Sequence, residues 1–222
     1  LCTADPLSGT YIDSSDTVVT DSSIDESSCT PTLQSDSGID ANLAGGATAS
    51  LAGGSNIRPP VGTYPHAYIK IKNTFGLKGS YDNGSTTYCS AGTGDVSTGG
   101  CTATSWDEDL MDFSNGRTCN STSGDIELAG SEVFTTGITG TMKAVLATPS
   151  SDGTYVGDTS CGNSTRLFGS FKPTAPIVIT ESTKGLQVTF SITNRGMTVI
   201  PDGSGGAGSF SSGPFSPSFD VF

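Results

Sequence analysis

Among side chains that move protons near neutral pH, histidine comes first, and this chain has one, His66. A Ser-His-Asp triad would need that imidazole in a cleft beside a serine and a carboxylate. His66 instead sits between Pro65 and Ala67 at a strand entrance, and no G-x-S-x-G elbow occurs anywhere in the sequence. Carboxylates are plentiful. Asp107, Glu108, Asp109 and Asp112 crowd together, but on one predicted helical turn. Glycosidic cleavage needs two carboxyls facing each other across a sugar, usually from separate elements. No catalytic residues are therefore expected.

Calcium takes carboxylate oxygens, and Asp13, Asp16, Asp21, Asp25 and Glu26 lie in one polar stretch. None of the acidic stretches follows the D-x-[DN]-x-[DN]-G loop pattern. Calcium is the one cofactor carried forward, with solvated acidic loops as the plainer account.

Cysteines supply the remaining chemistry. Cys2, Cys29, Cys89, Cys101, Cys119 and Cys161 make an even six, with no C-x-x-C pair among them. Zinc-ribbon, haem-attachment and thioredoxin-type sites are thereby disfavoured, and three disulfides in an oxidising compartment are expected. Six cysteines allow about fifteen pairings. Proximity suggests Cys2–Cys29 and Cys89–Cys101, which leaves Cys119 with Cys161. Asn83, Asn120 and Asn163 head N-x-[ST] sequons, used only if the source glycosylates exported chains. Trp106 and the tyrosines at 11, 64, 68, 81, 88 and 155 could build a sugar-stacking platform, although core packing explains them equally well.

The elements that would hold these residues read as strands. Tyr68, Lys70 and Lys72 alternate with Ile69 and Ile71. Leu, Val, Phe and Ile alternate with polar residues over Leu186–Thr193, the clearest strand of the chain. Further strands are predicted at 125–128, 132–136, 139–148, 166–171, 176–180 and 197–200. Asp82-Asn83-Gly84 and Pro201-Asp202-Gly203 read as tight turns. Ser105 and Glu108 fit the two ends of a capping box, so one short helix is predicted, ending by Asn115-Gly116. The phenylalanines at 210, 215, 219 and 222 make an aromatic tail that should pack onto a domain.

Composition bounds the rest. The 222 residues carry 10 Lys plus Arg against 22 Asp plus Glu, a net charge of −12. Phosphate backbones and anionic membranes would repel such a chain, so nucleic acid is not expected as a partner. No run of 18 apolar residues could span a bilayer as a helix. Residues 1–58 are polar, Asp/Ser-rich and then Ala/Gly-rich, and divide off as an irregular N-terminal arm from a β-domain at 59–222. The start at Leu1, without Met, reads as a mature chain after leader cleavage. Because Leu1 precedes Cys2, a disulfide is favoured there over lipidation.

The runs Phe171-Lys-Pro173, Val178-Ile-Thr180, Leu186-Gln-Val-Thr-Phe190, Val199-Ile-Pro-Asp-Gly203 and Gly213-Pro-Phe-Ser-Pro217, with Pro60-Val-Gly-Thr-Tyr64, resemble secreted bacterial β-sandwich surface proteins and lipoproteins. That resemblance implies an immunoglobulin- or transthyretin-like sandwich and carries no functional residues. The expectation is an all-β, antiparallel sandwich with one short helix and a long arm. It would be secreted or at the cell surface and act as a structural, filament or surface-layer subunit. It would associate with itself or with other surface subunits. A carbohydrate-binding or adhesive module is the alternative, and an exported hydrolase a distant third.

Overall fold

The computed structural model describes residues 1–12, 18–20, 24–39, 41, 51, 53–110, 128–134, 140–158, 162–192, 196–213 and 216–222. Among them the chain is all-β, and its one helical element is a 3₁₀ turn at Glu26–Ser28. The early strands are β1 (Thr10–Ile12), β2 (Val18–Thr20), β3 (Leu33–Gln34), β4 (Ser55–Asn56), β5 (Gly62–Tyr64) and β6 (Ala67–Lys72). Then come β7 (Thr74–Leu77), β8 (Ser80–Asp82), β9 (Thr87–Ser90), β10 (Val96–Ser97) and β11 (Trp106–Asp109). The later ones are β12 (Leu128–Phe134), β13 (Gly140–Pro149), β14 (Tyr155–Gly157), β15 (Arg166–Pro173) and β16 (Ile177–Ile179). The last are β17 (Leu186–Ser191), β18 (Met197–Pro201), β19 (Ala207–Ser212) and β20 (Ser216–Val221). The pairings with a described register are antiparallel.

Two compact units result. Unit 1 comprises Leu1–Asn73, Met111–Thr189 and Pro217–Phe222, and unit 2 comprises Thr74–Leu110 and Phe190–Ser216.

Unit 1 is built on a sheet of order β12-β13-β15-β6, with β14 added to β13. Its two faces follow from the period-2 alternation of strand side chains. On one face Ala67, Phe171 and the half-buried Ile69 and Met142 pack with Tyr64 of β5, Ile177 and Ile179 of β16, and Phe219 of β20. Leu1 joins this cluster. On the other face Val145, Ala147 and Phe168 take Leu7 from the N-terminal segment, with Ile24, Tyr68 and Tyr155 at the margin. Leu7, Phe168 and Ala147 are wholly buried. β15 is thus covered on both faces, and Leu167–Phe171 is buried without the alternation of a one-sided strand.

Unit 2 holds the ribbons β7–β11 and β18–β19 and the three strands β8, β9 and β10. Both expected tight turns fall here. Gly84 has φ +87° between β8 and β9, and Gly203 has φ +80° between β18 and β19, a region that L-residues with a Cβ rarely adopt. Asp82 and Asp202 accept backbone N–H bonds from Gly84 and from Ser204 and Gly206, tying each turn to its own aspartate.

The predicted helix is not formed at its start. Trp106–Asp109 is strand β11, paired with β7 from Trp106 opposite Leu77 to Asp109 opposite Thr74. The capping box fails because Glu108 finds other donors. Its carboxylate accepts from the Ser211 hydroxyl at 2.6 Å and from the Ser212 N–H at 2.9 Å. The remainder of that prediction, from Met111 onward, lies outside the described residues, as do most of the strand at 125–128 and the ends of those at 132–136 and 139–148.

Candidate functional site

The richest gathering of polar side chains in unit 1 lies where the N-terminal segment crosses the β13-β15-β6 face. Cys2 and His66 exchange two backbone hydrogen bonds, at 2.9 and 3.3 Å, which seat the segment beside β6. Its next residues then run over the sheet. Asp5 accepts from the Ser170 hydroxyl at 2.7 Å and from the Leu7 N–H at 3.0 Å, and pairs with Lys143 at 2.8 Å. Lys143 also donates to the Leu7 carbonyl. Burial alone would raise the Asp5 pKa, but the bonds from Lys143, Ser170 and Leu7 together outweigh it and hold the carboxyl below its usual range. Farther along, Glu26 pairs with Lys70 at 3.1 Å, with both side chains over a third exposed. Such a pair contributes little to stability, about 0–1 kcal/mol.

This constellation contains a serine, a carboxylate and a histidine, so the triad can be tested on geometry. Ser170 gives its hydroxyl proton to Asp5. His66 Nδ1 is buried without a hydrogen-bond partner among the described residues. Burial lowers the imidazole's pKa, with Asp5 pulling it up and Lys172 and Lys143 pushing it down. A triad needs serine donating to histidine and histidine to the carboxylate. Here serine and carboxylate are joined directly, and the arrangement acts as a clamp on the segment that carries Leu7. The neighbouring Tyr68 phenol is held well above its ordinary range, chiefly by burial and next by the Glu26 charge.

The calcium candidates divide. Asp25 caps the 3₁₀ turn, accepting from the Ser27 N–H at 2.9 Å, and Glu26 faces Lys70. Asp13, Asp16 and Asp21 lie outside the described residues. Among the described residues no three His, Cys, Asp or Glu side chains converge as metal ligands would.

Unit 2 presents a concavity of about 490 Å³. Asp95, Trp106, Asp107, Glu108 and Asp109 contribute to its walls, with Phe210 and Ser211. Trp106 is only 8 % exposed, so its ring supports the wall more than it offers a stacking face. Among the described residues no tyrosine lines the hollow. Tyr81 and Tyr88 stack elsewhere, across β8 and β9, at 6.2 Å between ring centres.

Both described disulfides pair as proximity suggested, Cys2 with Cys29 and Cys89 with Cys101. Cys119, Cys161 and Asn120 lie outside the described residues, as does Asp112. Asn83 is exposed within its turn and donates to the Gly205 carbonyl, and Asn163 is exposed and donates its N–H to Asp158.

One arrangement was missed when the strands were read singly. Five of the chain's 10 Lys and Arg side chains, Lys70, Lys72, Lys143, Arg166 and Lys172, project from a single face of the sheet. The alternation of Lys70 and Lys72 was visible, but the register that sets Lys72 opposite Arg166 was not. No known family, no curated protein and no solved structure matches this chain. No helix among the described residues is long and apolar enough to cross a membrane.

Proposed function

We propose that the chain is a secreted structural subunit that assembles with its own kind at an outer surface, as a filament or layer. Its sheets would form a sandwich of the immunoglobulin or transthyretin kind that its strand patterns resemble. The observation that carries this reading is an open edge. β6 pairs with β15 on one side, and among the described residues only the Cys2–His66 bridge meets the strand's entrance on the other. Ala67–Lys72 therefore offers six residues of backbone to a further strand. Unpaired edges are templates for strand addition, and proteins that do not use them usually hide or shorten them. Two disulfides suit an exported protein of this kind.

Assembly is assigned to this edge rather than to the chain's termini. Leu1, Cys2 and Leu7 are buried within unit 1, and Phe222 exchanges backbone hydrogen bonds with Gly185. The described terminal segments are packed on the chain's own sheet. Sedimentation velocity across concentrations, with electron microscopy of native material, tests the reading. Concentration-dependent oligomers or fibres are expected, and a strict monomer at every concentration overturns it.

The unit 2 concavity favours a second reading, a carbohydrate-binding or adhesive module. The carboxylates of its wall can accept hydrogen bonds from sugar hydroxyls. A glycan array, with Asp107→Ala as the control that should abolish any signal, decides it.

A further inference from the structure

Two strands of this chain carry complementary charge at the same spacing. β6 has Lys70 and Lys72 two residues apart, both exposed. β11 has Asp107 and Asp109 two residues apart, both exposed. Side chains at i and i+2 on a strand lie about 7 Å apart on one face, so the two rows match in pitch. Among the described residues each strand has one side without a strand partner: β6 pairs with β15 and β11 with β7.

Charge sharpens the match at Lys72 and Asp107, since Lys70 already pairs with Glu26 and Asp109 accepts from the Thr74 hydroxyl at 2.6 Å. Lys72 stands directly opposite Arg166, and neither has a carboxylate within ion-pair distance among the described residues. Like charges directly opposite one another destabilise an antiparallel pair, so this place gains from an incoming anion. The Asp107 carboxylate has no hydrogen bond or ion pair among the described residues either. Glu108, on the opposite face of β11, is already satisfied by Ser211 and Ser212 and asks nothing of a partner.

We propose that β6 of one copy pairs antiparallel with β11 of the next. Lys70 then faces Asp109, and Lys72 faces Asp107. This rests on the reading of the chain as a self-assembling subunit and names the joint. The two surfaces differ, so the contact is heterologous and joins copies head to tail, into a ring if it closes and a fibre if it does not. Lysines on an open edge discourage indiscriminate pairing and admit an acidic strand, which makes the joint selective.

A charge-swap experiment on the full chain tests it. The K70E/K72E and D107K/D109K variants should each need at least about tenfold more protein to assemble than wild type, because like charges would meet at the joint. Mixed in equal amounts they should assemble again, since each then meets its opposite. Sedimentation velocity reads both results. Should either variant fail to fold, a zero-length carbodiimide cross-link in wild type replaces it. Mass spectrometry of mixed ¹⁴N- and ¹⁵N-labelled protein should place an amide between Lys72 of one copy and Asp107 of another. Wild type that assembles while both variants assemble equally well overturns the joint and spares the self-assembly reading, as does a Lys72–Asp107 link found only within single copies. Wild type that stays monomeric overturns both.

Discussion

Leu7 and Asp5 show how a polar segment is held to a sheet by a few atoms. Leu7 is wholly buried against Val145, Ala147 and Phe168, while Asp5 gathers Lys143, Ser170 and its own backbone. Truncating Leu7 removes the apolar anchor and leaves a cavity between segment and sheet. We expect Leu7→Ala to cost about 2–5 kcal/mol, read as a lower urea midpoint with the same slope. An unchanged midpoint would mean that the segment is not held through this side chain. Asp5→Asn keeps the shape but removes the charge facing Lys143. It should weaken the protein at neutral pH, and the difference from wild type should shrink as pH falls and Asp5 itself takes up a proton. Neither residue stood out in the sequence. A single Leu and a single Asp in an Asp/Ser-rich stretch carry no periodicity, and their partners lie more than 130 residues away.

At the scale of elements, what was legible followed strand alternation and turn chemistry. β6, β13, β15, β16, β17 and β18 lie within a few residues of their predicted places, because apolar alternation and Gly-containing turns are local signals. Even there the pattern overstates burial. Val188 of β17 is 40 % exposed, although it alternates in step with Leu186. β11 was misread because Ser105 and Glu108 match a helix start locally, whereas Ser211 and Ser212 compete for Glu108 across more than 100 residues. The short strands β7 to β10 carry little apolar pattern, and the Cys89–Cys101 bridge closes part of this region. Opening that bridge with Cys89→Ser and Cys101→Ser should cost about 2–4 kcal/mol. Hydrogen exchange would show the loss as faster exchange across β8, β9 and β10. Equal acceleration along β13 and β15, or none anywhere, would count against a local staple.

For the molecule as a whole, acid is the informative perturbation. Asp5, Asp25, Asp82, Asp152 and Asp202 all have folded-state pKa values below the ordinary 3.8, and Asp152 is held at about 2. The causes differ in kind. For Asp152 the Ser150 and Thr154 hydroxyls lead, for Asp202 the Ser204 and Gly206 N–H groups, and for Asp5 the clamp overcomes burial. A depressed carboxyl stabilises the fold fully above its unfolded pKa, and that contribution is lost as pH falls through the folded value. Stability should therefore hold from neutral pH down to about pH 4 and decline steadily from there toward pH 2. The net charge of −12 acts in the opposite direction, since protonation relieves repulsion between carboxylates. That relief begins well above pH 4, at long range and under salt screening, so 0.15 M salt suppresses it while leaving the short hydrogen bonds intact. Melting temperatures by circular dichroism from pH 7 to pH 2 at that salt separate the two effects. A plateau followed by a fall below pH 4 is expected, and the Asp5→Asn variant should fall less steeply because one of the five groups no longer titrates. A melting temperature that climbs from pH 7 down to the pI of about 4.2 would show that charge repulsion, rather than the hydrogen bonds at these aspartates, governs how the fold responds to protons.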